Sequence, residues 1–448
     1  MPKQFVIKFL SLLVLGMLGS NSWALSVEDN KHLLLRAGFG AKPSLLNELE
    51  NLNRTQAIKY LLDEKSQFAK VPSCVNNKIP TRKMRKAYSK DQKKAAQKAN
   101  RQCARSLKAW YLAQLIESDA VLANQMNLLW HNHFTSSLKK VKSVQLIYRQ
   151  HQTIKQHALG DFSALLMAMV KDPAMLIYLD NVNNTKAKPN ENLGRELLEL
   201  FSLGEGNYGE ADIVSASKAL TGLGIDPVKY QSIVRKKRHD NSVKQIFDGT
   251  KIRSADDLVA AILAQPQTAN YIVTVIWQHF ISQEDPAQIQ QLAKTFSKDW
   301  NIKALLGKIL NSEQFWRDQG QMFKSPLELV AGSAQLFQGL KIPNKRMLGL
   351  MNQMGQNLFD PPNVKGWPKG KDWLDENKLV IRMNLSNQLA RAISSNMAVM
   401  GAPYCTGNKI TALSALPLPP PSESNNAMSS SCQKQLAKIV TAPSWQLK

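Results

Sequence analysis

The feature that most restricts what this chain can fold into is the spacing of its apolar residues, which from Leu25 onward recur at three- and four-residue steps. Leu107, Tyr111 and Leu115 follow that rule, as do Leu122, Met126 and Leu129, and Phe162, Leu165, Leu166 and Met169. So do Leu193, Leu197, Leu200 and Phe201, then Leu258, Ala261 and Ile262, and Leu327, Val330, Ala334 and Phe337. A stripe of that period buries one face of an α-helix. Gly160, Gly204, Gly222 and Gly339 stand where those helices would stop. The expected fold class is therefore mainly α, a multi-helix globular domain. Strand signals are confined to 230–249, where Ser232-Ile233-Val234 and Val243 to Phe247 flank the turn-rich His239-Asp240-Asn241. That reads as a small β-hairpin insertion between helices. There is no tandem repeat.

The N-terminus carries Lys3 and Lys8 and an apolar run from Phe9 to Leu18, too short to span a bilayer. Ser22-Trp23-Ala24 then places small residues where a signal peptidase reads them, so 1–24 is expected to be a cleaved signal peptide and the protein periplasmic or extracellular. A helical domain over 25–404 and a Pro/Ser-rich segment over 405–448 would follow. An even number of cysteines in an exported chain favours disulfides. Three pairings of Cys74, Cys103, Cys405 and Cys432 are open; the simplest joins Cys74 to Cys103 and Cys405 to Cys432, the second pinning the C-terminal segment. No Cys-x-x-Cys or paired Cys/His spacing suggests zinc.

The formal net charge is +24, and it is unevenly placed. Between Lys65 and Lys108 fourteen lysines and arginines face Asp91 alone, a local excess of +13 that marks a basic, Cys-flanked insertion. Such a segment attracts an anionic polymer or a membrane surface through a term that salt screens. A solvated lysine-rich helix face is the plainer reading. Nucleic acid is not the expected partner, because aromatics are sparse in this segment, with only Phe68 and Tyr88 before Trp110.

Three clusters could carry chemistry. In Trp130-His131-Asn132-His133-Phe134, two histidines two apart diverge by about 200° on a helix, so joint chelation needs the helix to end there. Hydrogen-bonded core histidines are the alternative. Asp180-Asn181 and the stretch from Pro189 to Phe201 form the second cluster, in which Glu191, Arg195 and Glu199 share a stripe and Glu196 lies at the edge of the buried face. Asn190 and Asn192 crowd that helix start. A general acid/base site, a cation site and a surface ion-pair lattice all fit this pattern. The third cluster, Asp360 to Leu374, sets Trp367 and Trp373 in a Pro/Gly-rich loop that either presents indoles to a ligand or anchors itself with them. His239-Asp240 in the hairpin adds a polar pair, and Ser325-Pro326 with Glu328 reads as a capping box. Nucleophile elbow, Walker loop, dinucleotide fingerprint and His-Glu-x-x-His are all missing.

Taken in order, His32 to Gly40, Trp130 to Phe134, Asp172 to Asp180, Asn190 to Leu203, Ala219 to Gly222, His239-Asp240, Phe323 to Glu328 and Asp360 to Trp373 make the chain resemble the bacterial domain of unknown function 1800 family. The resemblance runs across almost the whole mature chain and implies an exported, largely helical protein. It carries over no catalytic roles. It also implies an exported partner resembling the alkaline-phosphatase and sulfatase superfamily. Leu223 stands where that family often has an aromatic residue, and the lysine-rich segment around Cys74 and Cys103 departs from the family pattern.

Two functions are compatible with these residues. One is an exported enzyme acting on an envelope or extracellular polymer or conjugate. Its polar site would be assembled from His131, His133, Asp180, Asn190, Glu191, Arg195, Glu196 and His239. Glu191 or Glu196 would act as acid or base, Arg195 would hold an anionic group, and the histidines would move protons or bind a divalent cation. Asn192, Asp240, Trp367 and Trp373 would line the binding surface. The other is a non-catalytic assembly or partner-binding protein in which the same residues form buried networks and the basic segment docks an acidic partner.

Overall fold

The computed structural model describes residues 24–64, 70–337, 342–395, 405–406, 409–410 and 432–448. The expected signal segment and the expected Cys405 to Cys432 bridge fall on residues or side chains outside that set. Within it the chain is mainly helical, and its helices begin where the sequence supplies caps. The side chains of Ser26, Asn53, Ser89, Asp161, Asp172, Ser254 and Ser325 each accept the backbone N–H three residues on. Each such bond satisfies a donor that the helix cannot, worth about 1 kcal/mol.

The apolar stripes turn inward as their period requires. Leu107, Tyr111 and Leu115 of the Lys90–Glu117 helix are buried, as are Leu122, Met126 and Leu129 of the Val121–His133 helix. The latter runs through the centre of the core. Trp130 has no exposed surface, donates its indole N–H to the Ala158 carbonyl at 3.0 Å, and lies against Phe134 and Phe162 with ring centroids 5.9 and 5.7 Å away. Each fully buried side chain of this kind contributes about 1.5–3 kcal/mol of transfer free energy. Arg36 is also fully buried, and it is matched: one guanidinium nitrogen is 2.8 Å from Asp318 and another donates to the Phe280 carbonyl at 2.6 Å. That pair ties the Val27–Ala37 helix to the Glu313–Arg317 region.

The strands between helices pair differently from the sequence expectation. Ser232–Val234 turns back to pair with Leu223–Ile225, and Lys244–Ile246 pairs forward with Thr250–Ile252, both antiparallel. Two short hairpins therefore replace one spanning His239. The physical reason lies in the turns: Asp226 accepts the backbone N–H groups of Val228 and Lys229 at 2.7 and 2.8 Å and closes the first, and Gly249 with a positive φ closes the second.

The Cys74 to Cys103 disulfide is present and fastens a short turn to the Lys90–Glu117 helix. Seven of the fourteen cations of the basic segment lie on this helix, whose second half packs in the core, and four more lie on the short Arg82–Ala87 helix before it. At the other end, the Cys432–Thr441 helix packs along the Glu376–Ser395 helix. Lys448 and Met322 exchange backbone hydrogen bonds, and Trp445 is 2% exposed beneath the Lys324 ammonium, whose Nζ donates to the Trp445 carbonyl at 2.8 Å. No single helix among the described residues is long and apolar enough to cross a membrane.

Candidate functional site

The loop from Asp360 to Trp373 and the end of the Val121–His133 helix meet at a cleft of about 540 Å³. Asn132 makes the junction. Its side-chain carbonyl accepts the backbone N–H of Trp367 at 2.6 Å. Gly366 allows that approach: its φ is +87°, and a Cβ there would lie 2.3 Å from the same Asn132 oxygen. Trp367 and Trp373 are almost fully buried, at 5% and 3% exposure, so they anchor the loop while contributing to the cleft wall. The Trp367 indole N–H has no protein partner among the described residues.

Two histidines stand in this wall, and both are neutral at physiological pH. Burial pushes His133 down to about 4, against the opposing effect of its bond to Phe201, and pushes His279 down to about 3. His133 Nε2 lies 3.0 Å from the Phe201 carbonyl, which can only accept, so the proton sits on Nε2 and Nδ1 is the ring's acceptor.

Beneath them Glu328 is buried. One carboxylate oxygen accepts the Ser325 backbone N–H at 2.7 Å, completing the capping box, and the other meets the Lys448 ammonium and the Gln125 amide, the latter at 3.1 Å. Burial alone would raise the Glu328 pKa; Lys448 and the hydrogen bonds outweigh it and hold the carboxyl at about 2. Its charge is therefore spent inside the protein. Glu284 is the other acid of the wall, against Lys365, Lys369 and Lys371 on the lip. None of those three lysines forms an ion pair among the described residues. Lys369 is exposed as a residue, yet its ammonium lies amid enough protein that desolvation lowers its pKa.

A polar band continues outward from Lys365. Glu196 is half-buried; burial raises its pKa and Glu199 adds to the rise, while Lys365 and Arg195 oppose it. Tyr178, whose pKa is raised by burial and then by Glu196, lies under the Lys140 ammonium at 5.5 Å, and Lys140 pairs with Asp180 at 2.9 Å.

The remaining expected site residues have other employments. His131 turns away from the cleft to His151, with 2.9 Å between Nε2 and Nδ1, in a buried cluster with Tyr111 and Phe359. Burial holds His131 at about 3. Arg195 bridges Glu191 at 3.2 Å and both oxygens of Glu210 at 3.0 Å on an open face, the lattice outcome. Asn190 accepts the Asn192 backbone N–H at 3.0 Å and so shapes the helix start. His239 Nδ1 binds the Thr221 carbonyl at 2.7 Å, and Asp240 accepts from Ser242 and faces Lys244 at 3.6 Å, which organises the hairpins. Of the expected residues the cleft gathers His133, Trp367 and Trp373, with Glu196 close to its lip. Among the described residues no three His, Cys, Asp or Glu side chains converge to hold a metal ion.

Sequence reasoning missed His279, Lys448 and the role of Asn132, and treated Glu328 as a cap alone. The repeated Lys-Gly pattern of Lys365-Gly366 and Lys369-Gly370-Lys371 was a readable signal for a cationic lip. His151 was readable too, since Ile147, His151 and Ile154 share one buried helix stripe. Lys448 had no local signal; only the tertiary fold brings it to Glu328. A family model described as a protein of unknown function (DUF1800) matches residues 32–447. No curated protein and no solved structure matches the chain.

Proposed function

The chain belongs to the DUF1800 family of proteins of unknown function, and on that premise we propose that it is an exported protein that binds an anionic group of an envelope polymer or conjugate in the cleft. The observation that carries this reading is the charge balance of the wall: among the described residues Lys365, Lys369 and Lys371 have no ion-pair partner, the buried acid Glu328 is matched by Lys448, and Glu284 is the one other acid of the lining. A concave site with apolar and indole walls and a few cationic groups suits a carboxylate, phosphate or sulfate carried on a ring. Export is supported by the N-terminal pattern and by the disulfide.

Tryptophan fluorescence titrated with inorganic phosphate, inorganic sulfate and glucuronate tests this and separates the three anion sources. Saturable change that is lost in Lys369→Gln and reduced in Trp367→Phe is the expected result. No saturable response to any of them contradicts the reading. A second reading, acid–base chemistry on the bound ligand, is favoured by His133, which presents a neutral Nδ1 acceptor held in place through Nε2. It requires that His133→Gln abolish turnover of the ligand while leaving its binding intact.

A further inference from the structure

The first half of the Lys90–Glu117 helix has a property the cleft does not explain. Every residue from Lys90 to Ala99 is exposed, so among the described residues these turns stand out from the body and none of them is buried against another element. Its first buried residue is Cys103, held by the disulfide to Cys74. The projecting turns are sustained locally by the Ser89 and Gln92 capping box and by Ala95, Ala96 and Ala99. Against this, Lys90, Lys94 and Lys98 stand at four-residue intervals, an arrangement in which like charges repel.

At about 100° per residue, Lys90, Lys94, Lys98, Arg101 and Arg105 fall within an arc of about 80°, and at about 1.5 Å per residue they extend over about 22 Å. Asp91, at the edge of this stripe in the first turn, is the sole acid of the projecting part. The one ion pair the helix makes among the described residues lies in its packed half, where Lys108 is 3.8 Å from Asp360. Gln97 and Gln102 flank the stripe and, with four of its cations, outline a shallow hollow.

We propose that this stripe is a docking site for a linear acidic polysaccharide, its carboxylates ranged along the five cations and its hydroxyls within reach of Gln97 and Gln102. A membrane surface is the poorer fit, because a helix that settles in a lipid interface needs a broad apolar face and Lys90 to Gln102 contains no apolar side chain larger than alanine. Single-stranded nucleic acid needs aromatic platforms, and the projecting turns have none. The site is independent of the cleft: it uses other residues and a multivalent rather than a single-anion mode.

The test compares two charge-matched variants of the full chain. One is Lys94→Gln, Lys98→Gln, Arg101→Gln and Arg105→Gln together; the other neutralises four exposed cations elsewhere, Lys236, Lys237, Arg238 and Lys251, also to Gln. Binding of polygalacturonate is measured at about 0.15 M ionic strength, beside phosphatidylglycerol vesicles and oligothymidylate. The stripe variant should lose at least about tenfold in polygalacturonate affinity while the second set stays near the parent, and the parent should weaken steeply between about 50 and 200 mM salt. Equal loss in both sets, an unchanged stripe variant, salt-insensitive binding, or preference for vesicles or oligothymidylate would each overturn the proposal. Far-UV circular dichroism and the thermal midpoint confirm that the variants fold. Failure of the cleft titrations leaves this outcome untouched, because the cleft lysines are intact in both sets.

Discussion

The side-chain oxygen of Asn132 and the backbone N–H of Trp367 are 2.6 Å apart, and this one bond joins a core helix to the loop that forms the lip of the cleft. Asn132 precedes His133 directly, so the bond that fixes the loop also fixes the distance between the lip lysines and the neutral imidazole. The junction has no spare volume, because Gly366 approaches with a positive φ and no Cβ.

Gly366→Ala is therefore expected to displace the loop. A methyl group there meets the Asn132 side chain and forces a left-handed backbone on an L-residue, at a cost of at least about 1 kcal/mol. Anion affinity should fall in the fluorescence titration while far-UV dichroism stays that of the parent. An alanine variant with full affinity would remove Asn132 and Gly366 from the account.

The Glu328 and Lys448 pair should behave as a buried ion pair. Glu328→Leu alone strands a buried ammonium and is expected to lower unfolding free energy by about 3–5 kcal/mol, whereas Glu328→Leu with Lys448→Met should recover much of it. Because the folded carboxyl titrates near 2 and an unfolded one near 4.5, the pair's contribution is complete above about pH 4.5 and declines as pH falls toward 2. Denaturant titrations of the two variants read this directly.

Acid should weaken the fold well before Glu328 protonates. His32 and His133 are held at about 4, His131 and His279 at about 3, and His151 well below its ordinary value, in each case first by burial. The unfolded chain takes up these protons near pH 6.5 and the folded chain does not, so stability present at neutral pH is lost as pH falls below 6.5. Each histidine contributes a slope of up to about 1.4 kcal/mol per pH unit. Asp172, which burial raises to about 7, acts in the opposite sense because its folded form holds a proton that the unfolded form releases near 3.8. It offsets about one histidine. The thermal midpoint should drop steeply between about pH 6.5 and 5, and less steeply in His131→Asn; a flat profile would contradict the burial of these rings.

Glu191, Arg195 and Glu210 are expected to be quiet. Their lattice is open to solvent, so Glu191→Gln and Glu210→Gln should move the thermal midpoint by no more than about one or two degrees and leave anion binding unchanged. Glu196→Gln differs, because it removes a negative charge close to Lys365 and should strengthen anion binding. A large loss of binding on changing Glu191 would restore that helix to the site.

The helical frame was readable because its signals are local: apolar period, Ser and Asp caps, and the capping box at Ser325. The disulfide from Cys74 to Cys103 belongs to the simplest of the three pairings that the sequence leaves open. The site was only partly so. His133, Trp367 and Trp373 belong to it, yet His131, two residues from His133, faces the opposite way as a helix dictates, and its partner His151 lies on another helix. Arg195 and its carboxylates looked like chemistry because charge density in one dimension cannot distinguish a cleft from an open face. Strand pairing went astray for the same reason: Ser232–Val234 has two neighbours in sequence, and the Asp226 turn, not the polar run at His239, selects between them.

The most direct measurement of the central claim is anomalous diffraction from crystals of the protein soaked in selenate, a tetrahedral oxyanion that reports its own position. A selenate peak in the cleft, within hydrogen-bond distance of at least one ammonium among Lys365, Lys369 and Lys371 and absent from the Lys369→Gln crystal, is the expected result. Selenate peaks confined to other surfaces, with the cleft empty of them at saturating concentration, would contradict it.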